Sequence, residues 1–459
     1  MKANSPKPCY HGGAFFDAIG VEFDSLERRH DIINADVLDA WFPPSPKVIA
    51  ALQEDLPWVL RTSPPTNCEG MARVIARARG VSPENILPAA GSSDAIFLAF
   101  RQWLTPSSRV LILDPTYGEY AHVLERVIGC RVMRLPLLRR DDYRVNLDEL
   151  QRLSQHHYDL IVLVNPNSPT GQHIQGEEME KLLRQIPTAT RVWIDETYVE
   201  FAERGRSPSA ADLNSNDGVK FSARHASSSA ANRDGSRSES LEKFAAKSKN
   251  VVVCKSMSKV YALSGARAAY LCGPAETLEE LRATTPPWAV SLPAQIAAVA
   301  ALHDPDYYAA RYVETHRLRE ELVAGLSGRS AGFPACEFTE LSSSVFRNRA
   351  TGKSPEPADK NVCSTFDGWE ILPGLANFVL CHLPQNGPDA ATLVQHCRAE
   401  NLFLRNADAM GRCFAGRAVR IAVKDSETNQ RMLEILQRVN NRLLSKGKSL
   451  SSHVSLQPA

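Results

Sequence analysis

The strongest chemical signal in the sequence is a lysine with a hydroxyl before it and an arginine after it. Residues 256–259 read Ser-Met-Ser-Lys directly after an apolar run, and Arg267 follows Lys259 by eight positions. Lysine is rarely buried without a partner, so packing does not explain Lys259 at the end of a buried strand. Its amine can form an imine with an aldehyde cofactor, while Ser256 and Arg267 can hold a phosphate. The alternative is a surface lysine that follows a strand.

A second signal is the pair Asp195 and Tyr198, which also follows an apolar run. A carboxylate at the end of a buried strand is costly unless it is paired. The protonated nitrogen of a pyridine ring is such a partner, and its charge makes the ring an electron sink. Tyr198 can hydrogen-bond an oxygen on the same ring. The alternative is a helix-capping aspartate and a core tyrosine.

Two weaker signals concern a phosphate and a flat ring. Gly91, Ser92 and Ser93 open an apolar helical pattern, and N–H groups and hydroxyls at a helix N-terminus form a phosphate cradle. Tyr117 follows an Asp-Pro-Thr turn, where an aromatic side chain can stack on a planar ligand. Taken alone, the first is a common capped helix start and the second is a core tyrosine.

The elements that must position these residues are apolar runs separated by helical patterns. The runs show no alternation, so we expect strands that are buried on both faces, at 109–114, 160–164, 192–195, 251–254 and 268–272. Helical stretches such as 94–104 and 177–186 lie between them, which predicts a mostly parallel sheet covered by helices. Asn165, Asp195 and Ser256 then follow strands at the edge where such sheets bind ligands.

The length of 459 residues exceeds what one hydrophobic core usually serves. We predict an N-terminal arm at 1–45, a large α/β domain at 46–300 and a smaller α+β domain at 301–459. The smaller domain should contain a helix at 306–326, strands at 377–381 and 420–423, and a closing helix at 426–444 capped by Ser426. Polar composition predicts a mobile surface insertion at 204–250, an irregular stretch at 347–367 and a frayed tail after 444.

Charge and cysteine usage exclude several classes of protein. The formal net charge is +1, which does not favour nucleic acid or an anionic membrane as a partner. No apolar run is long enough to span a bilayer, and residues 1–9 do not resemble a signal peptide. None of the ten cysteines forms a Cys-x-x-Cys pair. We therefore expect no metal site and a reducing, cytoplasmic location.

Together with residues 165–171 (Asn-Pro-Asn-Ser-Pro-Thr-Gly), these motifs resemble the class I/II aminotransferases, which depend on pyridoxal 5′-phosphate. The chain is most similar to the branch of histidinol-phosphate aminotransferase and threonine-phosphate decarboxylase. The resemblance covers roughly residues 43–436, apart from the two irregular stretches. It implies fold type I, in which a seven-stranded, mostly parallel sheet lies between helices and a smaller α+β domain adjoins it.

The resemblance also implies roles for individual residues. Lys259 matches the lysine that holds the cofactor as a Schiff base and moves the proton, and Asp195 and Tyr198 match the partners of the ring nitrogen and the phenolic oxygen. Tyr117 matches the stacking ring. The positions that match phosphate-binding residues are Ser92, Ser93, Ser256 and Arg267. Arg420 matches the grip on the substrate α-carboxylate, and Arg405 matches a second arginine used on a substrate phosphate. For both arginines the alternative is a surface salt bridge.

Three departures from the family pattern bear on the substrate. Ser168 stands where the family has an asparagine that contacts the phenolic oxygen, and Asn167 can substitute for it. Residues 61–66 lack the tyrosine that reaches across the dimer, although Ser63 can partly replace it. The segment 36–46, which lines the substrate pocket in the family, carries Asp39 and Trp41. We therefore expect an altered substrate, with Asp39 facing a cationic or flat group.

The implied reaction is amino transfer between an L-amino acid or amino-alcohol phosphate and a 2-oxo acid, in a homodimer. The main alternative is an amino-acid decarboxylase, because the bond of the α-carbon that stands perpendicular to the cofactor decides the outcome. A carbon–nitrogen or carbon–sulfur lyase is a weaker option. A regulatory protein that has lost catalysis is the alternative from another class, and the joint presence of Lys259, Asp195, Tyr198, Arg267 and Arg420 argues against it.

Overall fold

The computed structural model describes residues 12–202, 239–328 and 366–452, with side chains up to residue 445. The expectations for residues 1–11, for most of the predicted insertion (204–238), for most of the second irregular stretch (347–365) and for the last residues of the tail (453–459) lie outside the described residues.

Strands and helices alternate along much of the described chain. The strands are β1 Ile33–Ala35, β2 Ile86–Ala89, β3 Arg109–Asp114, β4 Arg131–Pro136, β5 Leu160–Val164, β6 Arg191–Asp195, β7 Val251–Ser256, β8 Ala269–Cys272, β9 Glu370–Leu372, β10 Phe378–His382, β11 Leu402–Asn406 and β12 Ala418–Ala422. The α-helices are α1 Phe15–Ile19, α2 Pro46–Glu54, α3 Leu56–Arg61, α4 Glu69–Arg79, α5 Ser92–Trp103, α6 Gly118–His122, α7 Leu147–Ser154, α8 Gly176–Leu183, α9 Glu242–Lys247, α10 Met257–Val260, α11 Ala275–Arg282, α12 Leu292–Leu302, α13 Pro305–Leu326, α14 Ala390–Arg398 and α15 Ser426–Ser452.

The large sheet has seven strands in the order β2-β8-β7-β6-β5-β3-β4. Strands β4, β3, β5, β6 and β7 run parallel, while β8 is antiparallel to both β7 and β2. The predicted fold, a mostly parallel sheet of seven strands between helices, is therefore confirmed. All five apolar runs became strands of this sheet, with ends that shift by two residues or fewer.

The strands β3, β5, β6 and β7 are buried on both faces, and successive side chains of a strand point to opposite sides of the sheet. On one side, Trp193 and Cys254 pack in a core that includes residues of α5. On the other side, Ile194 and Val253 belong to the larger core, which includes residues of α4 and α12. The alternation continues to the ends of β6 and β7. Asp195 and Ser256 therefore lie on one side of the sheet, and Glu196 and Lys255 lie on the other.

The smaller sheet has the order β1-β11-β12-β10-β9. Its edge strand β1 comes from the predicted N-terminal arm and pairs in parallel with β11, with Ala35 beside Leu404. Ile33 and Ala35 are buried by this pairing. The chain segment that follows β1 therefore runs next to the ends of β11 and β12.

Several predicted boundaries differ from the structure. Residues 239–250, which the sequence places in a mobile insertion, contain α9, and Leu241 and Glu242 are buried there because Glu242 has charged and hydroxyl partners. Helix α15 extends to Ser452, and its first-turn N–H of Thr428 donates to Asp425 Oδ1 at 2.9 Å, so the cap is Asp425 and not Ser426. Within the described ranges, no helix combines the length and apolarity needed to cross a bilayer.

Candidate active site

The carboxyl ends of β5, β6 and β7 lie side by side at one edge of the large sheet. Asn165, which follows β5, donates its main-chain N–H to Asp195 O at 2.8 Å, and its side chain exchanges two hydrogen bonds with the main chain of Ile174. Ser256 ends β7, and its Oγ accepts from Ser258 N at 3.3 Å, which starts the short helix α10 that carries Lys259. The three strand-end residues are thus neighbours, as the parallel sheet predicts.

Asp195 is buried and held on both oxygens. Its Oδ2 accepts from the Tyr120 hydroxyl at 2.7 Å, and its Oδ1 accepts from Thr197 N at 2.9 Å and Thr197 Oγ1 at 2.6 Å. Tyr120 is fixed in turn by the indole N–H of Trp193 at 2.9 Å. Burial raises the pKa of Asp195, although these hydrogen bonds oppose the rise. A carboxylate in this state gains from a nearby cation or a protonated ring nitrogen.

Lys259 lies against the segment that follows β1. Its Nζ is 3.0 Å from Asp39 Oδ1 and 3.4 Å from Ser264 Oγ. Burial lowers the pKa of Lys259, and the Asp39 carboxylate opposes this shift. Burial alone would raise the pKa of Asp39, but Lys259 and a hydrogen bond from Ser264 lower it. Asp39, predicted to face a substrate group, therefore contacts the amine itself, and its predicted substrate role stays a prediction.

The N-terminus of α5 and the guanidinium of Arg267 meet at Gly91. Gly91 has φ 98°, and a Cβ added there would overlap Arg267 Nη2, so only glycine allows this approach. Arg267 Nη1 donates to Ser264 O at 3.0 Å. Ser92 is half-buried at the first position of the helix, and Ser93 Oγ donates to Glu119 Oε2 at 2.9 Å. A helix N-terminus beside an arginine is an arrangement that binds phosphate.

The two predicted tyrosines lie close to Asp195. Tyr117 precedes α6, and its ring centroid is 5.9 Å from that of Tyr120, which bonds Asp195. Tyr198 is buried, with its ring 5.6 Å from Phe378 of β10. Burial raises the pKa of both phenols, so both hydroxyls stay protonated and can donate.

The two predicted arginines face each other across β11 and β12, with Arg405 opposite Arg420. Arg420 donates from Nη1 to Ser168 Oγ at 3.1 Å and from Nη2 to Asp36 O at 3.0 Å. Arg405 Nε lies 2.8 Å from Asp36 Oδ1. Both arginines are buried, at 5% and 4% exposure, so neither forms the surface salt bridge that the sequence left open. Burial and the nearby Arg405 lower the pKa of Arg420 to about 10, and it remains a cation at neutral pH.

Asn167, expected to compensate for Ser168, is engaged within the protein. Its amide donates to Pro115 O and Thr170 Oγ1, each at 3.0 Å, and its Oδ1 accepts from Thr116 Oγ1 at 3.1 Å. Both amide hydrogens are therefore already used to hold the loop. The predicted cofactor contact of Asn167 stays a prediction, and Ser168 is a partner of Arg420.

Residues 39–338 match the family model described as aminotransferase class I and II. The chain belongs to the class I and II aminotransferase family. The match covers Asp39 and the residues at the edge of the large sheet. It therefore includes Gly91, Asp195, Lys259 and Arg267, which we call the cofactor half of the candidate site.

Curated relatives of the chain include two bacterial histidinol-phosphate aminotransferases. The protein from Staphylococcus carnosus is 28% identical over 268 residues, which are 58% of this chain and 65% of that relative. The protein from Moorella thermoacetica is 27% identical over 261 residues, which are 57% of this chain and 58% of that relative. The aligned part of the chain thus spans less than two thirds of the length of these relatives.

Solved structures show the same fold. Histidinol-phosphate aminotransferase from Sinorhizobium meliloti, in complex with pyridoxal-5′-phosphate, superposes with a TM-score of 0.68 at 19% identity, covering 95% of this chain and 99% of that one. L-threonine-O-3-phosphate decarboxylase from Porphyromonas gingivalis superposes with a TM-score of 0.63 at 20% identity, covering 89% of this chain and 99% of that one. At these identities the likeness establishes fold type I alone.

Several residues of the candidate site carried no sequence signal that identified them. Tyr120 and Asp36 are far in sequence from their partners Asp195 and Arg405, and nothing in their local pattern pointed there. Thr197 could have been found, because a hydroxyl two residues after an aspartate often bonds its carboxylate. Lys424 was also missed. Its Nζ donates to Asp39 O at 3.3 Å, and burial lowers the pKa of Lys424 to about 8.

A buried cluster of charges lies on the other side of the sheet from Asp195. Lys255 Nζ is 2.7 Å from Glu200 Oε1 and 3.7 Å from Glu196 Oε2. Arg79 binds Glu200 at 3.1 Å and Glu242 at 3.4 Å. Burial alone would lower the pKa of Lys255, but the three carboxylates raise it, while burial raises the pKa of Glu196 to about 7. Glu196 and Lys255, which are next to Asp195 and Ser256 in the chain, thus support the ends of β6 and β7 from the opposite side of the sheet.

Proposed function

We propose that this protein is a pyridoxal-phosphate-dependent aminotransferase, which transfers an amino group between an L-amino acid or amino-alcohol phosphate and a 2-oxo acid. The observation that carries the proposal is that Asp195 ends β6, that Lys259 and Arg267 follow the neighbouring parallel strand β7, and that Arg267 lies on Gly91 at the start of α5. Membership of the aminotransferase family supports it. So do the names of the relatives, although the chain spans less than two thirds of their length.

The residues fit the proposed cofactor. Gly91 allows Arg267 to lie directly against the N-terminus of α5, and the guanidinium and the helix N–H groups together suit its phosphate. Asp195 is a buried acid whose raised pKa would fall again beside a protonated ring nitrogen. Lys259, with a lowered pKa, is an amine suited to imine formation with the aldehyde. Ser256, Tyr117 and Tyr198 are the remaining candidates for contacts with the phosphate and the ring.

The protein side of the reaction follows from these positions. Pyridoxal phosphate, when bound, supplies an aldehyde carbon for imine exchange and a ring that accepts the electron pair of the substrate's α-carbon. Lys259 Nζ moves the proton between that α-carbon and the cofactor, acting as general base and then general acid. Asp195 holds the proton on the ring nitrogen. Arg420 has an unpartnered Nε among the described residues, and it binds and orients the substrate carboxylate.

We also infer a homodimer in the cytoplasm. Large apolar side chains are exposed on α2, on α3 and in the loop before α12, namely Ile49, Leu56, Trp58, Leu60 and Trp288. Helices α2 and α3 both pack on α12, so these side chains lie on adjacent elements, as expected for a surface that a second copy covers. Sedimentation of the active protein as a monomer would contradict the dimer. Within the described ranges the cysteines are unpaired, which suits a reducing compartment.

The decisive experiment is the visible spectrum of the purified protein during titration with amino donors. A yellow protein that one donor bleaches, with formation of the 2-oxo acid, supports amino transfer. Release of carbon dioxide without bleaching favours the decarboxylase. A colourless protein that cannot be reconstituted with pyridoxal phosphate overturns the enzyme proposal and favours the regulatory alternative.

Lys259→Ala tests the role of the amine. Turnover should fall by at least about 10⁴-fold, because the variant lacks both the imine-forming group and the proton carrier. Arg267 and the N-terminus of α5 remain, so the variant should still bind pyridoxal phosphate, but in a form that dialysis removes. Lys247→Ala, at an exposed position of α9, is the matched control and should leave turnover unchanged.

A further inference from the structure

Asp36 contacts both Arg405 and Arg420. We call these three residues, together with Lys424, the substrate half of the candidate site. Strand β1 runs parallel beside β11, with Ala35 next to Leu404, so the residue after β1 reaches Arg405. Asp36 Oδ1 is 2.8 Å from Arg405 Nε, and the Asp36 main-chain oxygen accepts from Arg420 Nη2 at 3.0 Å. The two side chains of the ion pair are only 6% and 1% exposed. Their charges therefore compensate each other out of contact with water.

Arg420 keeps its positive charge, because its partners are neutral. They are the hydroxyl of Ser168 and the main-chain oxygen of Asp36, and its Nε has no hydrogen-bond partner among the described residues. The ion pair of Arg405 is enclosed by main chain, since a Cβ at Gly12 would lie 2.8 Å from both Arg405 Nη2 and Asp36 Oδ2. Arg420 is therefore the arginine whose charge can be compensated by a ligand, and its Nε–H is available as a hydrogen-bond donor.

A second group of charges consists of Lys259, Asp39 and Lys424, and it joins the substrate half to the cofactor half. Asp39 lies between the two lysines, with its carboxylate on Lys259 and its main-chain oxygen on Lys424. Once Lys259 is committed to the cofactor, the carboxylate of Asp39 and the ammonium of Lys424 have opposite signs. Among the residues that the structure describes, three cations (Arg405, Arg420 and Lys424) then face the two carboxylates of Asp36 and Asp39, which gives this group one positive charge.

We propose that Asp36 restricts this enzyme to substrates with one anionic group, α-amino acids, and makes it reject amino-alcohol phosphates. The inference rests on the proposed amino transfer and specifies its substrate class. A carboxylate carries one negative charge and matches the fork of Arg420. A phosphate monoester carries about −1.5 to −2 at pH 7. The excess charge of the phosphate would lie next to the Asp36 carboxylate in a medium of low dielectric constant, where repulsion is strong.

The test compares L-amino acids that have uncharged side chains with L-histidinol phosphate as donors. For each donor, kcat/KM is measured as the rate at which it bleaches the yellow cofactor, in the wild type and in Asp36→Asn. The wild type should favour an amino acid by about 10-fold or more. Asp36→Asn removes the carboxylate beside Arg405, so it should shift the preference toward histidinol phosphate by about 10- to 100-fold, the range for hydrogen bonds to charged groups.

Two further variants separate charge from structure. Asp304→Asn makes the same charge change in a surface pair with Lys47 and should leave the donor preference unchanged. The double variant Asp36→Asn/Arg405→Gln removes both charges of the buried pair, and it should return to the wild-type preference.

A wild type that prefers histidinol phosphate overturns the inference alone. An Asp36→Asn variant whose donor ratio does not move, or a double variant that favours the phosphate as strongly as the single one, also overturns it alone. A wild-type cofactor that no donor of either kind bleaches overturns the proposed function together with the inference.

Discussion

The cofactor half and the substrate half of the cleft hold their charged groups in different ways. In the cofactor half, Asp195 is held by neutral donors, the hydroxyl of Tyr120 and the hydroxyl and N–H of Thr197. In the substrate half, Arg405 is held by a group of opposite charge, the carboxylate of Asp36. Neutral partners leave the charge of a site unchanged, whereas charged partners decide it. A single substitution in the substrate half can therefore change the kind of ligand accepted without altering the cofactor site.

The difference also follows the organisation of the chain. Each group of the cofactor half lies at the end of a strand or at the start of a helix within one domain. The charges of the substrate half come from the segment after β1, from β11 and from the end of β12, which meet only in the folded protein. A short motif can specify the first arrangement, but the second depends on several segments at once.

The buried cluster behind the cofactor half tests how far this contrast extends. Lys255→Met removes the cation between Glu200 and Glu196, and the free energy of unfolding should fall by about 3–5 kcal/mol, the usual cost of leaving one partner of a buried ion pair. The loss should be smaller at pH 6 than at pH 8, because Glu196, whose pKa is raised to about 7 by burial, can take up a proton at the lower pH. Urea denaturation at both pH values measures it.

Lys247→Met is the control, since this lysine of α9 is exposed and its substitution should change the free energy of unfolding by less than about 0.5 kcal/mol. A loss below about 1 kcal/mol in Lys255→Met would mean that the cluster does not support the ends of β6 and β7.

Gly91→Ala changes the cofactor half alone. The added Cβ overlaps Arg267 Nη2 and occupies a backbone with φ 98°, which costs on the order of 1–3 kcal/mol, so the Kd for pyridoxal phosphate should rise about 10- to 100-fold. Gly265→Ala is a matched control in the loop between Lys259 and Arg267, where an added Cβ meets open space. The ratio of kcat/KM between amino-acid and phosphate donors should stay constant in both variants, and a change in Gly91→Ala would show that the two halves are coupled.

The same division separates what the sequence predicted from what it missed. The apolar runs gave five strands of the large sheet, and the rule that strand ends share an edge brought Asn165, Asp195 and Ser256 together. Those inferences use local patterns. Contacts such as Asp36 with Arg405 join distant segments, and charge in a sequence does not show which opposite charge it will meet.

Composition misled the prediction where polar residues are buried with partners. The residues around Glu242 read as part of a mobile insertion because they lack bulky apolar side chains, yet Glu242 is buried with Arg79 and Tyr270. Lys255 was missed for a similar reason. The predicted apolar strand, 251–254, ends one residue before it, whereas β7 includes it. A buried charge network is polar in sequence and forms core in structure, so hydrophobic patterning alone does not detect it.

Lys424→Met tests whether the substrate half keeps a charge at the expense of stability. Burial lowers the pKa of Lys424 to about 8 in the folded protein, below its ordinary value of 10.5, so folding disfavours the charged form. The unfolded chain binds more protons between these two values, and wild-type stability should therefore rise with pH through that window. Methionine carries no proton, so Lys424→Met should be more stable than the wild type by up to about 3 kcal/mol at pH 7, with the difference shrinking toward pH 10. Thermal unfolding at pH 7 and pH 9.5 measures this, with the exposed Lys181→Met as the control. A variant that is less stable at pH 7 would mean that the contact of Lys424 with Asp39 outweighs its burial, and that the substrate half is built for stability and not for an anionic ligand.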